Sequence, residues 1–207
     1  MITIINYGCG NIKAIQNVFH KLSIKTKVAN NIEDLKDVEK LILPGVGAFD
    51  FAMQKLIDSG MIDRINELVL EENIPVLGIC VGVQLMAKSS EEGVMQGLGW
   101  INATVKKFEE KKLNKLVNLP HMGWNDVVPI NRSSLFTSLE SNAKFYFLHS
   151  YYISCEDNEQ AIAISNYAGE FVCAVKNRNV YGVQFHPEKS HRYGIKLLEN
   201  FAKLVVV

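Results

Sequence analysis

The pentapeptide Gly-Ile-Cys-Val-Gly at residues 78–82 constrains the fold of this 207-residue chain more than any other segment. It follows the apolar run 74–77 and precedes an apolar stretch with helical spacing. Small residues on both sides of a reactive one allow a sharp turn from strand to helix, with the reactive side chain projecting outward. The pattern therefore predicts a strand-turn-helix elbow that presents Cys80 as a nucleophile, with the first-turn N–H groups of the helix favouring its thiolate. The alternative is that Cys80 is a small buried hydrophobe, as most free cysteines are.

A second cluster, directly after the strand-like run 180–185, supports a reactive Cys80. Here His186 and Glu188 flank Pro187. In an extended segment, residues two apart point to the same side, so this histidine and carboxylate can share one face of a sheet. A lone histidine at a strand end would more often be an ordinary residue, but a thiol nucleophile requires a base and a group that orients it. We therefore predict a triad of Cys80, His186 and Glu188.

The first half of the chain alternates short apolar runs with helical patterns. Strands are predicted at 2–5, 26–29, 41–43 and 74–77, and helical spacing follows Ile12, Phe49 and Ile62. Strands that alternate with helices imply crossovers and a parallel sheet, whose ligands lie beyond the carboxyl ends of the strands. The segment 44–47, Pro-Gly-Val-Gly, and Cys80 both follow strands in this way.

The second half has shorter runs joined by polar turns. These runs are 103–108, 145–148, 161–165, 171–175 and 180–185, and residues 193–205 have the pattern of a closing helix. We predict antiparallel structure added to the parallel sheet. The expected fold is a single α/β domain over residues 1–207, with a central, mostly parallel mixed sheet flanked by helices and an added antiparallel β segment.

Composition narrows the classes of partner. Lys plus Arg and Asp plus Glu are each 22, giving zero formal net charge, so we expect no nucleic acid or membrane partner. The four cysteines lack Cys-x-x-Cys spacing, which supports neither a metal site nor a disulfide framework. Met1 is not followed by a basic region and an apolar core, and no apolar run is long enough to span a membrane. We expect a cytoplasmic protein with reduced thiols.

Four segments together resemble the class I glutamine amidotransferases: 43–49 (Leu-Pro-Gly-Val-Gly-Ala-Phe), 78–84 around Cys80, 121–125 (His-Met-Gly-Trp-Asn) and 182–190 around His186. Within this family the resemblance is closest to the glutaminase subunits of imidazole glycerol phosphate synthases, and it covers essentially the whole chain. It implies a flavodoxin-like α/β fold and hydrolysis of L-glutamine to glutamate and ammonia, without a cofactor or metal.

The expected substrate contacts come partly from chemistry and partly from this resemblance. The N–H of Val81 is the usual first oxyanion donor, and the turn at Val46 and Gly47 supplies the second, unless its glycines only form a tight loop. The resemblance also implies that this turn changes orientation when a partner binds its own substrate. It assigns glutamine recognition to a further group, in which Gln84 lies one helical turn after Cys80: Gly45, Gly47, Gln84, Glu92 and the backbone of His149, Ser150 and Tyr151. Alternatively, Gln84 is a polar helix residue and Glu92 a solvated carboxylate.

The resemblance implies a heterodimer with a (β/α)₈ cyclase subunit that receives the ammonia. Its partner interface maps onto Asn11, His121, Met122, Trp124 and Lys189. An exposed tryptophan beside a methionine is a common interface anchor, although a core aromatic is an equal alternative.

Several functions stay open at this point. The leading hypothesis is a glutaminase subunit feeding a cyclase in histidine biosynthesis. A paralogous subunit that feeds sugar amination in surface-polysaccharide synthesis is the alternative, favoured by Val81, by the segment 49–53 and by the segment 191–194. A cysteine peptidase or chaperone-like hydrolase, or a binding module without activity, would also fit the fold.

Overall fold

The computed structural model describes residues 1–109, 118–130, 133–139 and 143–204. Within these ranges it contains an 11-stranded mixed sheet and a separate two-stranded sheet. The strands are β1 (Ile2–Ile5), β2 (Thr26–Ala29), β3 (Leu41–Gly45), β4 (Val76–Cys80), β5 (Ser89–Ser90), β6 (Ala103–Lys107), β7 (His121–Asp126), β8 (Val128–Pro129), β9 (Lys144–His149), β10 (Tyr151–Cys155), β11 (Ala161–Asn166), β12 (Glu170–Asn177) and β13 (Val180–Val183).

Parallel strands in the order β2-β1-β3-β4-β13 form one part of the large sheet. The residues of β1, β3, β4 and β13 are all buried, as expected for parallel strands covered on both faces. The elbow strand was predicted at 74–77 but runs from Val76 to Cys80, because its last residue still pairs with Gly45 of β3. The carboxyl ends of β3 and β4 therefore lie side by side.

Antiparallel strands complete the large sheet, as predicted. β13, β12, β10 and β6 follow one another in antiparallel pairs, β11 pairs with β12 and β8, and the short β5 joins β6 in parallel. Strands β7 and β9 form the separate antiparallel sheet, and Tyr146 of β9 forms an isolated bridge to His186. This small sheet stands beside the carboxyl end of β13.

The helices are α1 (Ile12–Lys21), α2 (Phe49–Asp58), α3 (Ile62–Asn66), α4 (Val81–Leu85) and α5 (His191–Ala202). α3 continues into a π-helical turn at Glu67–Glu71. The amphipathic pattern of α1 buries Ile15, Val18 and Phe19. The closing helix was predicted over 193–205; it begins two residues earlier, ends at Ala202, and residue 205 lies outside the described residues. Across the described ranges, every helix is too short or too polar to cross a membrane.

Candidate active site

Cys80 occupies the predicted elbow. It is the last residue of β4, has φ 54° and ψ −116°, and is followed at once by α4. A positive φ is uncommon for a residue with a Cβ and marks a backbone held in place by its surroundings. Close packing provides that restraint, because a Cβ on Gly82 would lie 1.9 Å from the carbonyl oxygen of Leu43 in β3. α4 has only five residues, so it contributes first-turn N–H groups and no long axial dipole.

His186 and Glu188 form the predicted acid-base pair. The His186 Nδ1 and a carboxylate oxygen of Glu188, Oε1, are 2.8 Å apart, and both side chains are almost fully buried. The sequence predicted that this pair lies in an extended segment, and that prediction is wrong. β13 ends at Val183, and Pro187–Lys189 forms one turn of 3₁₀ helix that brings the carboxylate under the ring. Because Nδ1 faces a carboxylate, it carries a proton, and Nε2 is the ring atom left for the thiol.

The thiol and the carboxylate act together on His186. Burial lowers the pKa of His186, but hydrogen bonds to Cys80 and Glu188 and the charges of those two groups outweigh it, so the pKa is raised. Burial likewise raises the pKa of Glu188, and hydrogen bonds from His186 and Asn11 reverse this, so that the pKa is lowered. The Asn11 Nδ2 donates to Glu188 Oε1 at 2.9 Å, while Oε2 of that carboxylate is buried without a partner. Asn11 thus orients the triad carboxylate from inside this chain.

A cavity of about 480 Å³ opens at the carboxyl ends of β3 and β4. Its lining includes Pro120 and Leu148, two residues predicted for the partner interface, Asn11 and Lys189, and ten residues predicted as catalytic, oxyanion or glutamine-binding: Val46, Gly47, Cys80, Val81, Gln84, Glu92, His149, Ser150, Tyr151 and His186. The sequence therefore predicted most of the wall of one cavity. Gly45 is a correction: it is buried against α4, where a Cβ would lie 2.3 Å from the Gly82 nitrogen, and it does not line the cavity.

The candidate oxyanion donors surround Cys80. Val81 is the first residue of α4, so its N–H has no acceptor within the helix. Val46 and Gly47 form the exposed turn after β3, and Gly47 has φ 90°. This turn is held at its start, because the buried Tyr7 hydroxyl donates to the carbonyl oxygen of Pro44 at 2.6 Å.

The same turn is held at its end by a pair of carboxylates. The backbone N–H of Phe49, the first residue of α2, donates to Glu92 at 2.9 Å. In return, Asp50 accepts from the N–H groups of Val94 at 2.9 Å and Met95 at 3.1 Å. We call this arrangement the carboxylate clasp. It gives Glu92 an anchoring contact in addition to its place in the cavity wall.

Gln84 and the segment 149–151 contact one another. The Gln84 Nε2 donates to the carbonyl oxygen of Tyr151 and to Gln184 Oε1, both at 3.1 Å. Gln184 was missed in the sequence, and its Nε2 lies 3.9 Å from the Cys80 sulfur. A signal for it was present in the sequence, because Gln184 is the one amide side chain in the largely apolar run 180–185, and the structure shows that it is buried.

The residues predicted for the partner interface differ in their exposure to solvent. Met122 and Trp124 are 65% and 46% exposed, but His121 is 3% exposed. Alternation along β7 explains this correction: Met122 and Trp124 point outward, so His121 points inward and cannot contact a partner. Lys189 is exposed, with its ammonium 5.5 Å from the Tyr146 ring.

The chain is similar to known proteins over its whole length. The family model described as "Glutamine amidotransferase class-I" matches residues 3–205. The protein named "Imidazole glycerol phosphate synthase subunit HisH" from Leptospira borgpetersenii is 50% identical over 99% of this chain and 100% of that protein. The protein of the same name from Bdellovibrio bacteriovorus is 51% identical with the same coverage. A Methanococcus maripaludis protein named "subunit HisH 2" of the synthase is 48% identical over 98% of this chain and 99% of its own length.

Solved structures share the architecture. A structure described as a putative GMP synthase protein from Thermoplasma acidophilum has a TM-score of 0.71 at 25% identity, covering 97% of this chain and 90% of its own. The PurLQS structure from Thermotoga maritima has a TM-score of 0.73 at 17% identity, covering 97% and 96%. The second likeness concerns the fold alone.

Proposed function

Since the chain belongs to the class I glutamine amidotransferase family, we propose that it is the glutaminase subunit of an imidazole glycerol phosphate synthase. It hydrolyses L-glutamine to glutamate and ammonia and passes the ammonia to a synthase partner. The observation that carries this proposal is the meeting of Cys80 and His186 at the wall of one cavity, with Glu188 hydrogen-bonded to His186 behind that wall.

In the proposed mechanism the Cys80 sulfur attacks the carboxamide carbon of glutamine. His186 Nε2 takes the thiol proton and donates it to the departing ammonia, while Glu188 holds the ring and balances its charge. The Val81 N–H and the turn at Val46 and Gly47 stabilise the oxyanion. Attack of water on the resulting thioester then releases glutamate and restores the thiol.

The remaining lining residues recognise the amino-acid part of the substrate. The Nε2 of Gln84 is occupied, so its Oε1 is the atom that can accept from the substrate ammonium. The carboxylate of Glu92 supplies negative charge to the same wall. The backbone of His149, Ser150 and Tyr151 forms the opposite contact, because the His149 ring is turned into the protein.

A partner docks on the exposed face of the β7–β9 sheet. Met122 pairs with Leu148 and Trp124 pairs with Tyr146, so these four side chains share one face. Met122, Trp124 and Leu148 are exposed, and Leu148 also lines the cavity. We infer that this face, with Asn11 and Lys189 at the cavity mouth, meets a (β/α)₈ cyclase subunit. Ammonia then moves between subunits without being protonated and diluted in the cytoplasm.

Surface-polysaccharide amination is not the favoured acceptor pathway. Relatives that match nearly the whole chain at 48–51% identity carry the synthase name. The two segments that suggested the alternative, 49–53 and 191–194, each contain a residue with a local structural role. Asp50 belongs to the carboxylate clasp, and the His191 ring stacks on Trp124 with a centroid distance of 5.0 Å.

A glutaminase assay with and without the cyclase subunit of the same organism tests this function. We expect glutamate formation to rise on adding the cyclase and its substrate, and Cys80→Ala to lower the rate about 10⁴-fold or more. Hydrolysis of peptides instead of glutamine, or stimulation only by a sugar-aminating partner, would overturn the assignment.

Trp124→Ala tests the docking face. We expect it to weaken cyclase affinity about 10- to 100-fold, as for a central interface tryptophan. Leu70→Ala is the matched control, because Leu70 is 57% exposed on the π-helical turn that precedes the amino end of β4. Equal affinity losses in the two variants, measured by calorimetric titration, would place the interface elsewhere.

A further inference from the structure

Two buried histidines outside the triad contact each other. The Nδ1 of His121 and the Nε2 of His149 are 2.9 Å apart. The His121 ring is stacked between Phe147 and Tyr167, with centroid distances of 4.6 and 4.0 Å. Burial lowers the pKa of His121 to about 4 and that of His149 to about 3, so both rings are neutral near pH 7.

The neighbouring backbone carbonyls fix the proton positions on both rings. His149 Nδ1 faces the carbonyl oxygen of Tyr151 at 2.8 Å, and a carbonyl only accepts, so Nδ1 carries the proton. The Nε2 of the neutral His149 must then accept, and His121 Nδ1 donates to it. His121 Nε2 in turn accepts from Asn125 Nδ2 at 3.2 Å. That amide is itself oriented by the carbonyl oxygen of Asn166, to which Nδ2 donates at 2.9 Å.

The same carbonyl continues the chain to the sulfur. The Tyr151 oxygen that accepts from His149 also accepts from Gln84, whose second N–H donates to Gln184 Oε1. The Gln184 Nε2 then points at the Cys80 sulfur. From Asn125 to Cys80, each N–H therefore has one acceptor, and the donors His149 and Gln84 meet at the Tyr151 carbonyl oxygen, which links the two halves of the chain of hydrogen bonds. We call these linked groups the relay.

The relay begins on the strand that carries the docking face. Asn125 and His121 point inward from β7, whereas Met122 and Trp124 of the same strand point outward. A displacement of β7 therefore changes the two donor contacts of the relay directly. His121 of β7 is paired with His149 of β9 across the small sheet, so the two strands are coupled by direct contact of these rings.

We propose that the relay transmits the position of β7 to the glutamine-binding segment and the thiol, so that a partner docked on this strand changes glutamine affinity. The partner part of this inference rests on the proposed function. His121, Asn125 and His149 are then positioning residues, because they act through the Tyr151 carbonyl and Gln84.

The tautomers give a direct test on the free chain. Both His121 and His149 are expected to be Nδ1–H tautomers near pH 7, although an isolated imidazole favours Nε2–H. Long-range ¹H–¹⁵N correlation spectra assign the protonated nitrogen of each ring. An Nε2–H tautomer on either ring would reverse the order of the donors and overturn the relay. This measurement needs no turnover, so it is independent of whether the chain hydrolyses glutamine.

Glutamine affinity tests the function of the relay. His121→Phe keeps an aromatic ring between Phe147 and Tyr167 but removes both nitrogens, and Asn125→Ala removes the first donor. We expect each change to raise the Kd for glutamine about five- to tenfold, as measured by calorimetry, and to reduce the increase in affinity that the relay predicts on adding the cyclase subunit.

Ser165→Ala is the matched control. The buried Ser165 hydroxyl donates to the carbonyl oxygen of Asp126, the last residue of β7, at 2.7 Å, so its removal deletes one buried hydrogen bond outside the relay while the pairing with β9 still holds the strand in place. We expect its Kd for glutamine to stay within twofold of the unmodified chain. An equal rise in this variant, or an unchanged Kd in His121→Phe, would show that the relay does not position the site.

Discussion

At the scale of single residues, the neighbours of the Cys80 sulfur besides His186 include the Leu148 carbonyl oxygen at 3.8 Å and the side chain of Gln184. The buried amide of Gln184 accepts from Gln84 and presents an N–H to the sulfur at 3.9 Å. A donor of this kind stabilises a thiolate more than a thiol. Together with His186, it makes the surroundings of Cys80 those of a nucleophile, although the side chain itself is buried.

Replacing Gln184 therefore tests the reactivity of the sulfur. Gln184→Met preserves the length of the side chain and removes the donor, so we expect the rate of Cys80 alkylation by iodoacetamide at neutral pH to fall about tenfold. kcat for glutamine should fall with it. Gln96→Met changes an exposed glutamine and should leave both rates unchanged. Alkylation of Gln184→Met at the rate of the unmodified chain would show that the amide does not act on the sulfur.

At the scale of structural elements, the turn at Val46 and Gly47, which we propose as a source of an oxyanion donor, lies between two anchors. Tyr7 holds Pro44 at the end of β3, and the carboxylate clasp holds the first turn of α2. A Cβ at position 93 would lie 1.9 Å from the Asp50 carboxylate, so a larger residue there would displace this carboxylate from the clasp. The direction of the proposed oxyanion donor therefore depends on the peptides that lie between the two anchors.

Asp50→Ala releases one side of the clasp. It removes the acceptor of two backbone N–H groups and the negative charge in the first turn of α2. We expect kcat for glutamine hydrolysis to fall about tenfold, less than the 10²- to 10³-fold effect of deleting an oxyanion donor outright. Asp50→Asn retains an acceptor and should recover part of the rate.

Asp58→Ala, at the other end of α2, is the control for a general loss of helix stability. Asp58 is exposed and accepts from Gln54. Its kcat should stay within twofold of the unmodified chain when both variants are assayed well below their unfolding temperatures. A matching loss of kcat in the two variants would assign the effect to the helix and not to the turn.

The elements that the sequence predicted are those with a clear local pattern. The buried parallel strands and α1 and α2 follow from apolar runs and helical spacing, and the triad follows from the elbow and the His-Pro-Glu segment. β7 and β10 were not predicted as strands, because Gly123 and the mixed polar residues of 151–155 give weak alternation. The burial of His121 and the contacts of Gln184 and Asp50 depend on partners distant in sequence, which no local spacing encodes.

At the scale of the whole molecule, the relay crosses from the small sheet into the large one. It joins β7 and β9 to the elbow at α4 through groups that are mostly buried. Buried polar chains of this kind are stable only while every donor and acceptor keeps its partner. Protonation of either histidine places an uncompensated donor and a charge in that chain, so the relay also sets a limit on the folded state in acid.

This limit predicts a steep acid dependence of stability. His121 and His149 have folded-state pKa values of about 4 and about 3, below the unfolded value of about 6.5, so the unfolded chain binds more protons between these values. The free energy of unfolding should fall as the pH drops from about 6.5 towards 4, with each histidine contributing up to about 1.4 kcal/mol per pH unit. His186 acts in the opposite direction, because its raised pKa keeps it protonated in the folded chain while the unfolded histidine takes up its proton only as the pH falls through about 6.5. That contribution is nearly complete below about pH 5.5, so urea titrations between about pH 5.5 and 4.5 measure the slope of the two buried histidines. His121→Phe should reduce the slope by the contribution of one histidine, while Ser165→Ala, which removes a buried hydrogen bond to β7 and no titratable group, should not. An equal slope in His121→Phe would mean that His121 is already protonated in the folded chain.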